Sequence, residues 1–208
     1  KRLQDEFDGL AEVSKALDTA RDALADAGYQ IVDAEPPALR ECALAGYRSL
    51  MGEIAPMMGD DLKAHGSDTI NAIFEEYFRQ FPPYEGTEQL RMMAQRSHYA
   101  RLWSVFLDEH PLMLTPFLPA PFFRPNRDAE GAEGVREALG GALYSYSMNY
   151  IGQPAGNVPI HVANLPQGPQ PINVQIIGRR WREDLIVDAM MAIENRVGRM
   201  CDALWAHM

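Results

Sequence analysis

Three observations predict an α/β fold. Apolar residues recur every three to four positions over much of the chain, the pattern of helices with one buried face. Residues 112–115 and 172–177 are nearly unbroken apolar runs, too short for buried helices, and read as strands. The chain also opens with a helical stripe, a glycine and a short strand candidate, which together make an α/β unit.

The first helix carries Leu10, Val13, Leu17, Ala20, Leu24 and Ala27 on one stripe, and Gly28 follows where a left-handed cap is wanted. Residues 29–34 are the strand candidate, ended by Pro36 and Pro37. A second helix is expected over 38–54, broken before Pro56. A third spans 68–79, with Ile70, Ile73, Phe74 and Tyr77 on one side, and Phe81-Pro82-Pro83-Tyr84 stops it. Thr87 caps a long helix over 88–110 whose apolar positions include Leu90, Ala94, Leu102, Val105 and Phe106. The strand at 112–115 runs into residues 116–125, where four prolines and three phenylalanines exclude helix and interior strand. Such a stiff apolar loop at a strand end is a place where α/β proteins put ligand walls. Residues 124–133 are polar and read as mobile. A helix over 135–150, weakened by Gly140 and Gly141, precedes a strand at 157–163, a turn at 165–169 and the deep strand at 172–177. A final helix starts at Glu183 and buries Leu185, Ala189, Ala192, Ile193, Val197 and Leu204.

Composition narrows the partners. The 208 residues, 47% hydrophobic and 23% charged, suit a chain that buries one core, and residues 1–208 read as a single domain. A net charge of −10 argues against a nucleic acid or an anionic membrane surface, and no apolar run is long enough to span a bilayer. Residues 1–9 show no signal-peptide core and no initiator Met. Cys42 and Cys201 lack metal-ligand spacing, so two reduced, mostly buried thiols in a cytoplasmic protein are expected.

The residues alone offer little chemistry. No two of the five histidines stand four apart and none neighbours a cysteine, so neither a metal site nor a cofactor is expected. His161, on a strand candidate, reads as a hydrogen-bonded structural histidine. Seven serines occur, none within Gly-x-Ser-x-Gly. The basic residues include only three lysines, Lys1, Lys15 and Lys63.

The last third is more specific. Asn149-Tyr150-Ile151-Gly152-Gln153-Pro154-Ala155-Gly156-Asn157-Val158-Pro159 resembles the Asn-x-x-Gly-x-Pro-Ala-x-x-x-Pro segment of the amidase signature family. Val174-Gln175-Ile176-Ile177-Gly178, continuing through Glu183 and Leu185, is similar to that family's Gln-φ-φ-Gly-x-x-x-x-Glu-x-Leu stretch, where φ is apolar. Ala192-Ile193-Glu194 resembles the end of its terminal helix. Upstream, residues 23–29 with Pro36 and Pro37 resemble its helix-Gly-strand unit, and residues 110–116 its apolar strand ending in Thr-Pro. One departure is the turn at 165–173, which is longer than the family's Leu-Pro-x-Gly-x-Gln.

The resemblance implies the C-terminal part of an α/β/α sandwich, with a mixed sheet covered by helices. It implies an amide hydrolase in which a lysine, a second serine after a cis peptide and a nucleophilic serine relay a proton, while backbone amides hold the oxyanion. That constellation precedes the matched segments, and Gly140-Gly141 runs here into Ala142, not into serines. No catalytic residue is therefore assigned, and the 208-residue chain alone is expected to be inactive. The helix before Asn149 and the loop after the Thr-Pro strand are implied to wall the acyl pocket. The substrate-binding candidates are Tyr144, Met148, Asn149, Pro121, Phe122 and Phe123, with Arg124 and Arg127 as possible carboxylate binders. The implied partners are the missing N-terminal half, a small-molecule amide and, if an edge stays open, a second copy. Two other readings are open: a non-catalytic binding or assembly module derived from this fold, and the amidase subunit of a tRNA-dependent amidotransferase.

Overall fold

The computed structural model describes residues 11–166 and 168–205. The chain divides into two compact units. One holds residues 1–37, 103–122 and 152–208, the other residues 38–102 and 123–151.

The first unit is built on a three-stranded antiparallel sheet. Its strands are β1 (Leu112–Pro116), β2 (Ala155–Leu165) and β3 (Gly168–Gly178), in the order β1-β3-β2. The deep strand expected at 172–177 is the centre of this sheet, paired on both sides: Thr115 faces Gln175 across β1, and Asn157 faces it across β2. Helices α1 (Ala11–Asp26) and α7 (Glu183–Val197) pack on one face. Val13, Ala16, Ala20 and Leu24 of α1 meet Val158, Ile160, Val174 and Ile176 of the strands and Ile186, Ala189 and Ile193 of α7. The alternation 172, 174, 176 sends alternate β3 side chains into this layer because successive residues point to opposite faces. The alanines let the helices lie close to the sheet. A Cβ at Gly156 would stand 2.3 Å from Met190 Sδ, and one at Gly178 2.5 Å from Ile186 Cγ1, so both glycines permit that approach of α7.

In this unit Gly28 takes φ +94°, as the cap required, but residues 29–36 form no strand. Among the described residues no paired strand includes them, and Ile31 and Val32 are 41% and 53% exposed. Strand propensity needs a partner edge, and none of the described strands offers one here. The final helix stops at Val197, where Gly198 has φ +83°, and Leu204 belongs to the separate short helix α8 (Met200–Trp205). Leu10 lies outside the described residues.

The second unit is helical. It contains α2 (Leu39–His65), α3 (Asp68–Gln80), most of α4 (Gly86–Glu109), α5 (Gly131–Val135) and α6 (Leu143–Ile151). The expected break before Pro56 does not occur: α2 runs through it to His65. The ring costs one backbone bond on an exposed turn, and the helix on either side carries on. Ser67 caps α3, its Oγ accepting from Ile70 N at 3.3 Å. The buried face of α4 also differs from the expected one. Leu90 and Val105 are exposed, whereas Tyr99, Trp103 and Leu107, spaced by four, are buried. Apolar residues lie on both sides of this helix, so periodicity alone could not choose the buried one.

The segment 124–133, read as mobile, is folded. A 3-10 turn at Arg127–Ala129 leads into α5. Arg127 grips Glu137 through Nε and Nη2, both at 2.8 Å, and Glu130 through Nη1 at 2.8 Å, while Arg124 also pairs with Glu130. Gly134 permits the turn: a Cβ there would stand 1.8 Å from the Arg127 carbonyl oxygen. A π-helical turn, Arg136–Gly140, then absorbs the Gly140-Gly141 weakness before α6 begins.

Candidate functional site

Helix α6 carries three of the candidate wall residues, and its sequence sets how each is presented. Leu143, Ser147 and Ile151 step by four, and with Met148 they form the buried face. Tyr144 is half-buried, and burial raises its hydroxyl pKa above the ordinary tyrosine value. Met148 is only 2% exposed and Asn149 is exposed. Met148 therefore serves as packing in the described chain, and Tyr144 and Asn149 are the α6 candidates with surface to offer.

The remaining candidates lie in the loop that leaves β1. Pro121 and Phe123 are half-buried, and Phe122 is 58% exposed. Pro121 and Phe122 belong to the sheet unit, Phe123 to the helical unit. Arg124 and Arg127 do not wait for a ligand carboxylate: both guanidiniums are engaged by Glu130, and Arg127 also by Glu137.

The hydroxyls and the buried thiol near α6 are committed or inert. Ser147 Oγ donates toward the Leu143 carbonyl at 2.7 Å and the Leu39 carbonyl at 3.1 Å. Ser145 Oγ donates to the Ala142 carbonyl at 3.2 Å. Among the described residues no serine hydroxyl is hydrogen-bonded to a histidine, lysine or carboxylate. Tyr146 stacks on Tyr47 with ring centroids 4.1 Å apart, and burial pushes its hydroxyl up to about 12. The Cys42 thiol, fully buried, is also pushed up to about 12 by burial, so it is neutral and unreactive at physiological pH. Cys201 is exposed, contrary to the expectation of two buried thiols. The described α6 serines are thus tied to backbone carbonyls and none is paired with a base.

His161 is the structural histidine that was expected: its Nε2 lies 2.7 Å from Glu12 Oε2, tying β2 to α1. Among the described residues no three His, Cys, Asp or Glu side chains gather as a metal site. No helix among them is long and apolar enough to cross a membrane.

Three buried polar residues of the sheet unit, Thr115, Gln153 and Gln175, stand within the matched segments but had no structural task assigned from sequence. Gln175 Nε2 donates to Thr115 Oγ1 at 3.3 Å, joining β3 to β1 where the loop departs. Gln153 Nε2 donates to the Gly178 carbonyl at 2.6 Å and ties the start of β2 to the end of β3. The signal for Gln175 was a glutamine inside an apolar run.

The described fold is α/β, a strand-and-helix layer with a helical unit beside it in sequence. The chain belongs to the amidase family, whose model matches residues 2–187. An indoleacetamide hydrolase of Bradyrhizobium diazoefficiens is 30% identical over the whole of this chain, which covers 39% of that protein. The chain thus spans about two fifths of the length of this relative. Solved structures that share the fold include the following two. A 6-aminohexanoate cyclic dimer hydrolase complexed with substrate matches with a TM-score of 0.68 at 22% identity, over 91% of this chain and 42% of that one. A glutamyl-tRNA(Gln) amidotransferase subunit from Thermotoga maritima matches with a TM-score of 0.66 at 20% identity, over 95% and 41%.

Proposed function

We propose that these 208 residues are the C-terminal part of an amide hydrolase acting on a small arylacetamide-type primary amide. Water cleaves the carbon–nitrogen bond, releasing the carboxylic acid and ammonia. In this reading the lysine and the two serines of the relay lie in polypeptide that precedes Lys1. The chain supplies the sheet and the loop residues Pro121 and Phe122 of one unit and, in the other unit, Phe123 and helix α6, where Met148 is packing and Tyr144 and Asn149 have surface to offer.

The observation that carries the reading is the family match across residues 2–187, combined with indoleacetamide hydrolase as a relative at 30% identity. The chemistry agrees with it. Aromatic and proline side chains suit the flat apolar acyl group of an arylacetamide. With the guanidiniums of Arg124 and Arg127 already paired to glutamates, the loop does not favour an acidic acyl group.

The test compares the 208-residue chain with the polypeptide that its gene encodes. Ammonia release is followed with indole-3-acetamide and a short aliphatic amide as substrates. The expected outcome is no turnover by the 208 residues and turnover by the longer polypeptide, faster on the aryl substrate. Turnover by the 208 residues alone would refute the assignment of the relay to preceding sequence. No turnover by the longer polypeptide would favour the binding-module reading.

A further inference from the structure

Strand β1 has an apolar pattern that does not choose its own register. Leu112, Met113 and Leu114 follow one another, so both faces of the strand are alike. Leu112 and Leu114 pack against the layer of α1 and α7, and Met113 takes the other face. Sliding β1 by one residue along β3, about 3.4 Å, exchanges the faces and sets one apolar side chain where another stood. The strand has little else to hold it. It is five residues long, and among the described strands only β3 pairs with it.

Thr115 and Gln175 make the choice. They face each other across the ladder, both are 2% exposed, and Gln175 Nε2 donates to Thr115 Oγ1 at 3.3 Å. After a slip of one residue Thr115 would stand opposite Val174 or Ile176, whose side chains belong to the apolar layer. The Gln175 amide would then lose its acceptor. A buried polar group without a partner is penalised, and a hydrogen bond has direction where apolar contact has none. The carboxamide inside the run 172–177 is thus satisfied in the observed register and orphaned in its neighbours. The ladder ends one residue later, at Pro116 opposite Val174. From there Pro116, Pro119 and Pro121 stiffen the chain up to Phe122, so a shift at the root is carried along it.

We infer that Gln175 is a positioning residue: through Thr115 it fixes the register of β1 and so sets where the loop places Pro121 and Phe122. The use of those two residues as a pocket wall rests on the proposed function; the register does not.

The experiment uses the polypeptide that its gene encodes, unmodified and with Thr115→Val, Gln175→Leu, both together, or Thr115→Ser. Each single removal leaves a buried polar group unpaired. The double variant leaves none, so it should melt close to the unmodified protein. Register is read by hydrogen–deuterium exchange over residues 112–118. In the double variant these amides should exchange at least about 10-fold faster than in the unmodified protein despite the matching melt, because no polar pair selects one register. KM for indole-3-acetamide should rise about 10-fold with kcat within about 3-fold, the pattern of lost wall contact rather than lost chemistry. Thr115→Ser keeps the hydroxyl and should bring both readouts back from the Thr115→Val values. A role in stability alone predicts that exchange and KM recover with the melting temperature in the double variant, and that result would overturn the inference. If the double variant folds poorly, Thr115→Val is compared with Val158→Ala, a buried substitution on β2. Equal exchange at 112–118 in those two would overturn the inference as well. Absence of hydrolysis by the unmodified polypeptide would reject the proposed function, and exchange would then decide the register by itself.

Discussion

The two cysteines show how position decides reactivity. Cys42 lies on the buried face of α2, and its Sγ reaches the Ser147 carbonyl only at a long 3.9 Å. Burial penalises the thiolate, and with it the nucleophile that any thiol reagent needs. Cys201 is exposed on α8. In the native protein, an aromatic disulfide reagent near pH 8 should therefore modify one thiol quickly and the other only after denaturant is added. Cys201→Ser should remove the fast phase. A fast phase that survives in Cys201→Ser would mean that Cys42 is accessible. Nothing in the sequence separated the two residues, because neither has a diagnostic neighbour. The candidate site was legible in the same partial way. Resemblance to a motif points to Tyr144, Met148 and Asn149, but a motif does not say that Met148 is turned fully inward.

At the scale of the element, legibility follows how many requirements a segment meets by itself. The run at 172–177 needed cover on both faces, and it became the middle strand with a neighbour on each side. Helix α1 was readable from its stripe and its terminal glycine. The stretch at 29–34 had strand propensity but no described partner, and α2 passed through a proline because that turn is exposed. Register inside the sheet carries a prediction. Thr115 and Gln175 face each other and are both buried, at 2% exposure. Thr115→Val leaves the Gln175 amide unpaired in an apolar setting and should cost about 1–3 kcal/mol, whereas removing both polar groups costs much less. In a double-mutant cycle with Gln175→Leu, measured by urea unfolding of the polypeptide that its gene encodes, the two substitutions should couple by about 1 kcal/mol. Strict additivity would show that the 3.3 Å contact does not hold β1 in place.

For the whole molecule the deciding quantities are uncovered apolar surface and net charge. Ile31 and Val32 expose about half of their side chains. Covering the rest is worth about 2 kcal/mol in all, on a scale of roughly 1.5–3 kcal/mol for complete burial of each. That is too little to hold two bodies together, but an interface of several hundred Å² around them is worth on the order of 10 kcal/mol at about 25 cal/mol per Å². This is comparable to the whole stability of a domain. The 208 residues expressed alone should therefore self-associate or melt over a broad range. Their charge of −10 opposes self-association, because like charges on approaching copies repel. Salt screens that repulsion, shortening the Debye length from about 30 Å at 0.01 M to about 10 Å at 0.1 M. Sedimentation velocity should thus show larger species as salt is raised at constant protein concentration, with Ile31→Lys and Val32→Lys shifting the distribution back toward monomer. A salt-independent monomer with a sharp, cooperative melt would mean that the exposed stretch belongs to a self-sufficient domain. The chain would then stand as a binding module that keeps the amidase fold without its chemistry.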